Sequence, residues 1–195
     1  MLDQIFPLIY DHAVNRLLLG LPEELPYHNL YHILDVLKQA QRIAKDENIK
    51  NEEDVLSLKT AALYHDAGFI YKYTGHEEAG CQLARKELPG FGMNEQQVGR
   101  ICGMIMATKL PQSPKNKLEE IICDADLDYL GRPDFFTIGD ALFSEKKEKG
   151  LVSNKKQWNL IQIRFIKEHQ YFTASNKRTR EKQKKKHLEL LEAGI

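Results

Sequence analysis

Residues 27–46 read YHNLYHILDVLKQAQRIAKD. Leu30, Ile33, Leu34, Leu37, Ala40, Ile43 and Ala44 recur at three- and four-residue steps, the spacing that places side chains on one face of an α-helix. The run therefore predicts an amphipathic helix over 29–46. His28 and His32 stand four apart, so a continuous helix puts both imidazoles on one face, one turn from each other. Alone, such a pair also fits two surface or capping histidines.

The same periodicity extends in both directions. Segment 3–19 carries Ile5, Leu8, Ile9, Ala13, Leu17 and Leu18, and the proline-bearing loop LPEELPY ends it. Downstream, Asn51 fits an N-cap, with Glu52, Glu53 and Asp54 in a first turn where the helix dipole favours acids. That helix is expected to run to about Asp66. Further helices are expected at 76–88, 94–108, 117–130, 133–149, 154–171 and 175–193. Gly68 and Gly75 bracket a short aromatic segment, and residues 109–117, with Pro111 and Pro114, read as a loop. Alternating β-branched runs of the kind strands need are almost absent. The expected fold is all-α, a single-domain helical bundle over residues 1–195. Its metal-site core spans about 26–131 and its C-terminal helices about 133–193.

Bulk properties narrow the function. The 195 residues fit one core, and 42% hydrophobic with 29% charged residues marks an ordinary globular chain. Lys plus Arg equals Asp plus Glu at 28 each, so no general field steers the chain to nucleic acid or to an anionic membrane. The N-terminal segment lacks a basic leader, no apolar run is long enough to span a bilayer, and the expected location is cytoplasmic. Cys81, Cys102 and Cys123 form no CxxC pair and read as reduced, partly buried thiols. The basic run 177–186 reads as the solvated face of a terminal helix. Leu188, Leu190 and Leu191 behind it suggest docking on the body or on a second chain, as in a homo-oligomer.

Two further segments carry chemistry. Ala62-Leu63-Tyr64-His65-Asp66-Ala67-Gly68 delivers an imidazole and a carboxylate at the end of an apolar helix, where burial is costly unless something such as a cation compensates both. Glu120–Asp128 places three alternating carboxylates in an apolar run. Asp124 and Asp128 share one helix face while Asp126 points roughly opposite, so one carboxylate enters a site and the others serve elsewhere. Two imidazoles with two carboxylates make a mixed N/O set suited to Mn, Fe, Ni, Co or Zn, with Mg a weaker fit.

The ordered set His32, His65-Asp66, Asp126 resembles the HD-domain superfamily of metal-dependent phosphohydrolases, which is marked by a His, an adjacent His-Asp pair and a distant Asp on helices. YHNLYH also resembles the opening motif of the cyclic-nucleotide phosphodiesterase branch. The tail looks like that of small bacterial stand-alone members. The resemblance implies His32, His65, Asp66 and Asp126 as ligands of a divalent cation, with the Ala-Asp-Leu pattern selecting Asp126. It also implies His28 as proton donor to the leaving oxygen, with Asp66 counted among the catalytic groups. The implied reaction is attack of a metal-activated water on a nucleotide-like phosphate ester or phosphodiester; the alternative is a non-catalytic, metal-stabilised regulatory module that binds a nucleotide or partner. His76 and Glu77 are candidates for a second metal position or the site rim, although Ile101–Thr108 offers no further histidine. Some nucleotidase members carry an acid where Phe69 stands. Lys72, Lys109 and Arg132 are weaker substrate-binding candidates, Arg132 being equally able to pair with Asp128. Tyr27, Tyr64, Phe69, Tyr71 and Tyr73 fit either a base-sized pocket or the core.

Overall fold

The computed structural model describes residues 2–194, leaving Met1 and Ile195 aside. It is built of helices: α1 (Leu2–Gly20), α2 (Leu30–Asp46), α3 (Glu52–Tyr64), α4 (His76–Glu87), α5 (Glu95–Ala107), α6 (Lys117–Asp126), α7 (Phe135–Glu148), α8 (Lys155–Glu168), α9 (Ala174–Thr179) and α10 (Glu181–Ala193). Short 3-10 turns, Ala67–Ile70, Leu88–Phe91 and Asp128–Gly131, follow α3, α4 and α6. No strand occurs among the described residues, and none of the helices is long and apolar enough to cross a membrane.

Local chemistry sets the helix starts. Asn29, Asn51, Asn94, Asn116 and Asn154 are extended, and each side chain accepts from backbone N–H groups of the first turn. Asn94 and Gln97 complete a reciprocal capping box. The cap at Asn29 corrects one expectation: α2 begins at Leu30, so His28 lies in the segment before the helix and not one turn below His32 on its face.

Two apolar clusters hold the bundle. In the first, Ile9, Leu17, Ile33, Ile43, Leu58, Leu63, Ile101 and Ile121 interlock helices α1 to α6. Each fully buried aliphatic side chain of this kind contributes about 1.5–3 kcal/mol. In the second, Tyr27, Leu130, Phe135, Ile166, Tyr171 and Leu191 join the turn after α6 to α7, α8 and α10. The three cysteines are free and buried.

Helix α6 explains its three carboxylates. Asp124 accepts from the backbone of Phe172 and Thr173, each at 2.8 Å, and from Thr173 Oγ1 at 2.6 Å. Asp128, also fully buried, accepts from Arg42 Nη2 at 2.7 Å, Arg180 Nε at 2.9 Å and Asn176 Nδ2 at 3.1 Å. These two acids tie the C-terminal segment to the bundle. The helix expected at 175–193 breaks at Arg180, where a Cβ on Gly131 would lie 2.5 Å from the Arg180 carbonyl oxygen. The basic run is not wholly solvated. Lys184 is buried, donates to the His169 carbonyl at 2.8 Å and lies over the Tyr171 ring, while Leu191 packs inward and Leu190 stays exposed.

Candidate metal centre and active site

Helix α3 is apolar and buried through Leu63 and Tyr64, and it delivers His65 and Asp66 into the interior at its end. The chain then turns tightly. A Cβ on Gly68 would lie 1.8 Å from the carbonyl oxygen of His76 and 2.8 Å from the nitrogen of Gly80, so glycine is required for α4 to approach. That approach brings His76 Nε2 to 3.4 Å from Asp66 Oδ1.

Four side chains converge here: His32 from α2, His65 and Asp66 from the end of α3, and Asp126 from the end of α6. His32 Nε2 stands 3.3 Å from Asp66 Oδ2 and 3.2 Å from Asp126 Oδ1. His65 Nε2 stands 3.3 Å and 3.6 Å from the same two oxygens, and the two Nε2 atoms are 3.4 Å apart. His32, His65 and Asp66 form a group able to hold a metal ion. Ligands about 2.1 Å from a common cation are separated by about 3.0 Å when octahedral and about 3.4 Å when tetrahedral, which matches these separations. Asp66 Oδ2 is buried without a hydrogen-bond partner, an arrangement that is costly unless a cation compensates it. His65 Nδ1–H donates to the Ala62 carbonyl at 2.9 Å, which leaves the Nε2 lone pair facing the cluster. The Tyr27 ring packs 4.6 Å from the His32 ring and fixes its plane. The donors of His32, His65 and Asp66 lie close enough to share a divalent cation, and Asp126 stands beside both histidines.

Electrostatics point the same way. Burial works against a charge on His32, yet the neighbouring carboxylates of Asp126 and Asp66 outweigh it and hold its pKa up at about 9. His65 is raised by Asp66 and Asp126 in the same way, against its burial. Burial alone would raise the Asp126 pKa, but the two histidines bring it down to about 2.

His28 sits beside this cluster, 16% exposed, and its partner is a residue that sequence reading missed. Glu145 of α7 is fully buried; its Oε2 accepts from the backbone N–H of Tyr27 at 3.1 Å and of His28 at 3.0 Å. Its Oε1 takes His28 Nδ1 in a close contact and accepts from the Tyr73 hydroxyl at 2.9 Å. Burial would raise the Glu145 pKa, but its bond to His28 brings it down to about 2. With Nδ1 engaged, Nε2 is the His28 nitrogen left for a substrate. Phe69 stacks between His28 at 4.2 Å and His76 at 3.9 Å. The signal for Glu145 lay in α7: Phe135, Ile138, Leu142 and Glu145 continue one three- and four-residue stripe.

A cavity of about 440 Å³ opens onto His28, Asp66, His76, Glu77 and Asp126. Lys109 lies on its wall, paired with Glu78. One expectation is corrected. Lys72 is exposed and does not line the cavity. Arg132 is held by Asp35 at 2.6 Å and Asp134 at 2.7 Å, with Asp128 at 3.7 Å, so its charge is already neutralised; it lies off this cavity but lines a second pocket with His32 and Asp126. Tyr64 is core, bonded to Glu87 at 2.9 Å, and Tyr71 is exposed, whereas Tyr27 and Tyr73 line the cavity.

Comparison with known proteins supplies the family. A protein of Clostridium beijerinckii described as uncharacterized is 31% identical over 74 residues, 36% of this chain and 46% of its own length, so the match spans less than half of that relative. No solved structure matches the chain. The model of the HD domain matches residues 29–128, the span that holds His32, His65, Asp66 and Asp126. The chain belongs to the HD-domain superfamily, whose members are generally metal-dependent hydrolases.

Proposed function

We propose that the protein is a phosphohydrolase that uses one divalent cation, held by His32, His65, Asp66 and Asp126, to cleave a nucleotide-like phosphate ester or phosphodiester. The observation that carries this reading is that the two imidazole nitrogens each lie 3.2–3.6 Å from an oxygen of Asp66 and an oxygen of Asp126, beside a histidine locked to a buried glutamate on the same cavity. A bound divalent cation supplies a water activated near neutral pH and charge neutralisation at the phosphoryl group. His28, oriented by Glu145, gives a proton from Nε2 to the departing oxygen. Tyr27 and His65's bond to Ala62 hold the imidazole planes toward the cation. His76 and Glu77, 3.5 Å from each other, form the rim of the cavity.

The test is turnover of a panel of phosphomonoesters, phosphodiesters and nucleotides by metal-stripped protein reloaded in turn with Mn, Mg, Co, Ni and Zn. Metal-dependent phosphate release is expected. Tight metal and nucleotide binding without turnover of any panel member would instead favour a regulatory module.

Metal affinity is also expected to depend on pH. In metal-free protein His32 keeps its proton up to about pH 9, and a cation must displace it. Affinity for Mn should therefore rise as pH increases toward about 9 and level off above, with proton release measurable by calorimetry in buffers of different ionisation enthalpy.

A further inference from the structure

The cavity has a second region that the hydrolytic groups do not use. Away from the carboxylates its wall is formed by Leu142 of α7 and by Trp158, Ile161 and Phe165 of α8, with no charged residue among them. Ile161 is 41% exposed, so apolar surface faces the opening and is not sealed into the core. At the edge of this wall stands Lys146, one residue after the glutamate that fixes His28. Leu142 and Lys146 are four apart on α7 and so share the face turned to the cavity. Lys146 is part-buried and its ammonium makes no ion pair or hydrogen bond among the described residues, whereas that of Lys109 is paired with Glu78. Its acidic neighbour Glu145 is fully engaged by His28, Tyr73 and two backbone N–H groups. A part-buried ammonium without a partner is costly, and burial lowers its pKa. An anion arriving at Lys146 would relieve that cost.

We infer that Lys146 is the anion-recognition residue of this cavity, and that the substrate is an ester whose organic portion is uncharged and apolar or aromatic, lodged against Leu142, Trp158, Ile161 and Phe165. This rests on the hydrolase reading and specifies it: the body of the substrate occupies the α7–α8 wall while an oxygen of its anionic group meets Lys146.

Fluorescence titration of the Mn-loaded full chain tests this without turnover. The probes are anilinonaphthalene sulfonate, an aromatic anion, and phenylnaphthylamine, its uncharged counterpart. Both are expected to bind the unaltered chain at one site. Lys146→Met should weaken the sulfonate probe about tenfold, as loss of one charged hydrogen bond does, and leave the neutral probe unchanged. Lys109→Met should change neither, and Ile161→Glu should weaken both. Equal sulfonate binding by Lys146→Met and the unaltered chain would overturn the assignment, as would failure of the neutral probe to bind the unaltered chain. If no phosphate ester is turned over, the proposed reaction fails while these titrations still decide whether Lys146 and the apolar wall form a binding site. If esters are turned over, Lys146→Met should raise KM with kcat largely retained.

Discussion

Asp66→Ala is expected to abolish phosphate release and to weaken divalent-metal binding by about 100-fold or more, beyond the loss that removal of a ligand's supporting partner brings. Asp66 stands at the centre of the cluster. Its Oδ2 lies 3.3 Å from both His32 and His65, and its Oδ1 meets His76. Without it, two imidazoles face each other at 3.4 Å with only Asp126 to offset a positive charge. His65→Ala should behave alike, since His65 supplies one of the two nitrogen donors and is itself locked by the Ala62 carbonyl. Metal titration by calorimetry, turnover and circular dichroism on the same preparations separate loss of the site from loss of fold. Undiminished turnover by metal-stripped Asp66→Ala would refute the assignment.

The second large effect is expected at Glu145. Glu145→Ala leaves the backbone N–H groups of Tyr27 and His28 without their acceptor, and frees the Tyr73 hydroxyl and the His28 ring. Buried donors left unpaired in this way cost about 1–3 kcal/mol each, so destabilisation of about 2–5 kcal/mol is expected in urea unfolding. Turnover should fall by about 100-fold or more through misplacement of the proton donor. Glu145→Gln separates the two roles. It keeps an acceptor for the backbone and restores much of the stability, but it does not restore the charged partner of His28, so kcat stays low. The sign of the pH effect follows from a carboxylate whose pKa falls from 4.5 to about 2 on folding. Its contribution is fully present above about pH 4.5 and is lost as pH falls through about 2. The stability gap between the unaltered chain and Glu145→Gln should therefore narrow over that acid window. A gap that widens on acidification would contradict the ion pair.

What could be read from sequence was what repeats or caps. The stripe from Leu30 to Ala44, the cap at Asn51 and the spacing of Asp124 against Asp126 all follow from helix geometry, and each element lies where its periodicity places it. Helix ends were less legible. Asn29 caps α2 because its side chain bonds two backbone N–H groups, and this local bond removes His28 from the helix. Arg180 breaks the terminal helix because Asp128, 52 positions away, holds its guanidinium, a contact that no local window contains. Glu145 had a local signal in the α7 stripe, but only the packing of α7 onto the segment before α2 shows it buried against His28, with Lys146 on the cavity wall. Lys72 erred in the opposite sense: closeness in sequence to the site did not make it a neighbour of the cavity, whereas Arg132 lies beside His32 and Asp126 but already has carboxylates of its own.

Anomalous diffraction from crystals of the Mn-loaded protein, recorded at the manganese edge, tests the metal centre most directly. The expected result is one strong peak per chain, within coordination distance of His32 Nε2, His65 Nε2, an oxygen of Asp66 and an oxygen of Asp126. A protein fully loaded with Mn whose peak lies elsewhere, or that shows no peak between those four side chains, would contradict it.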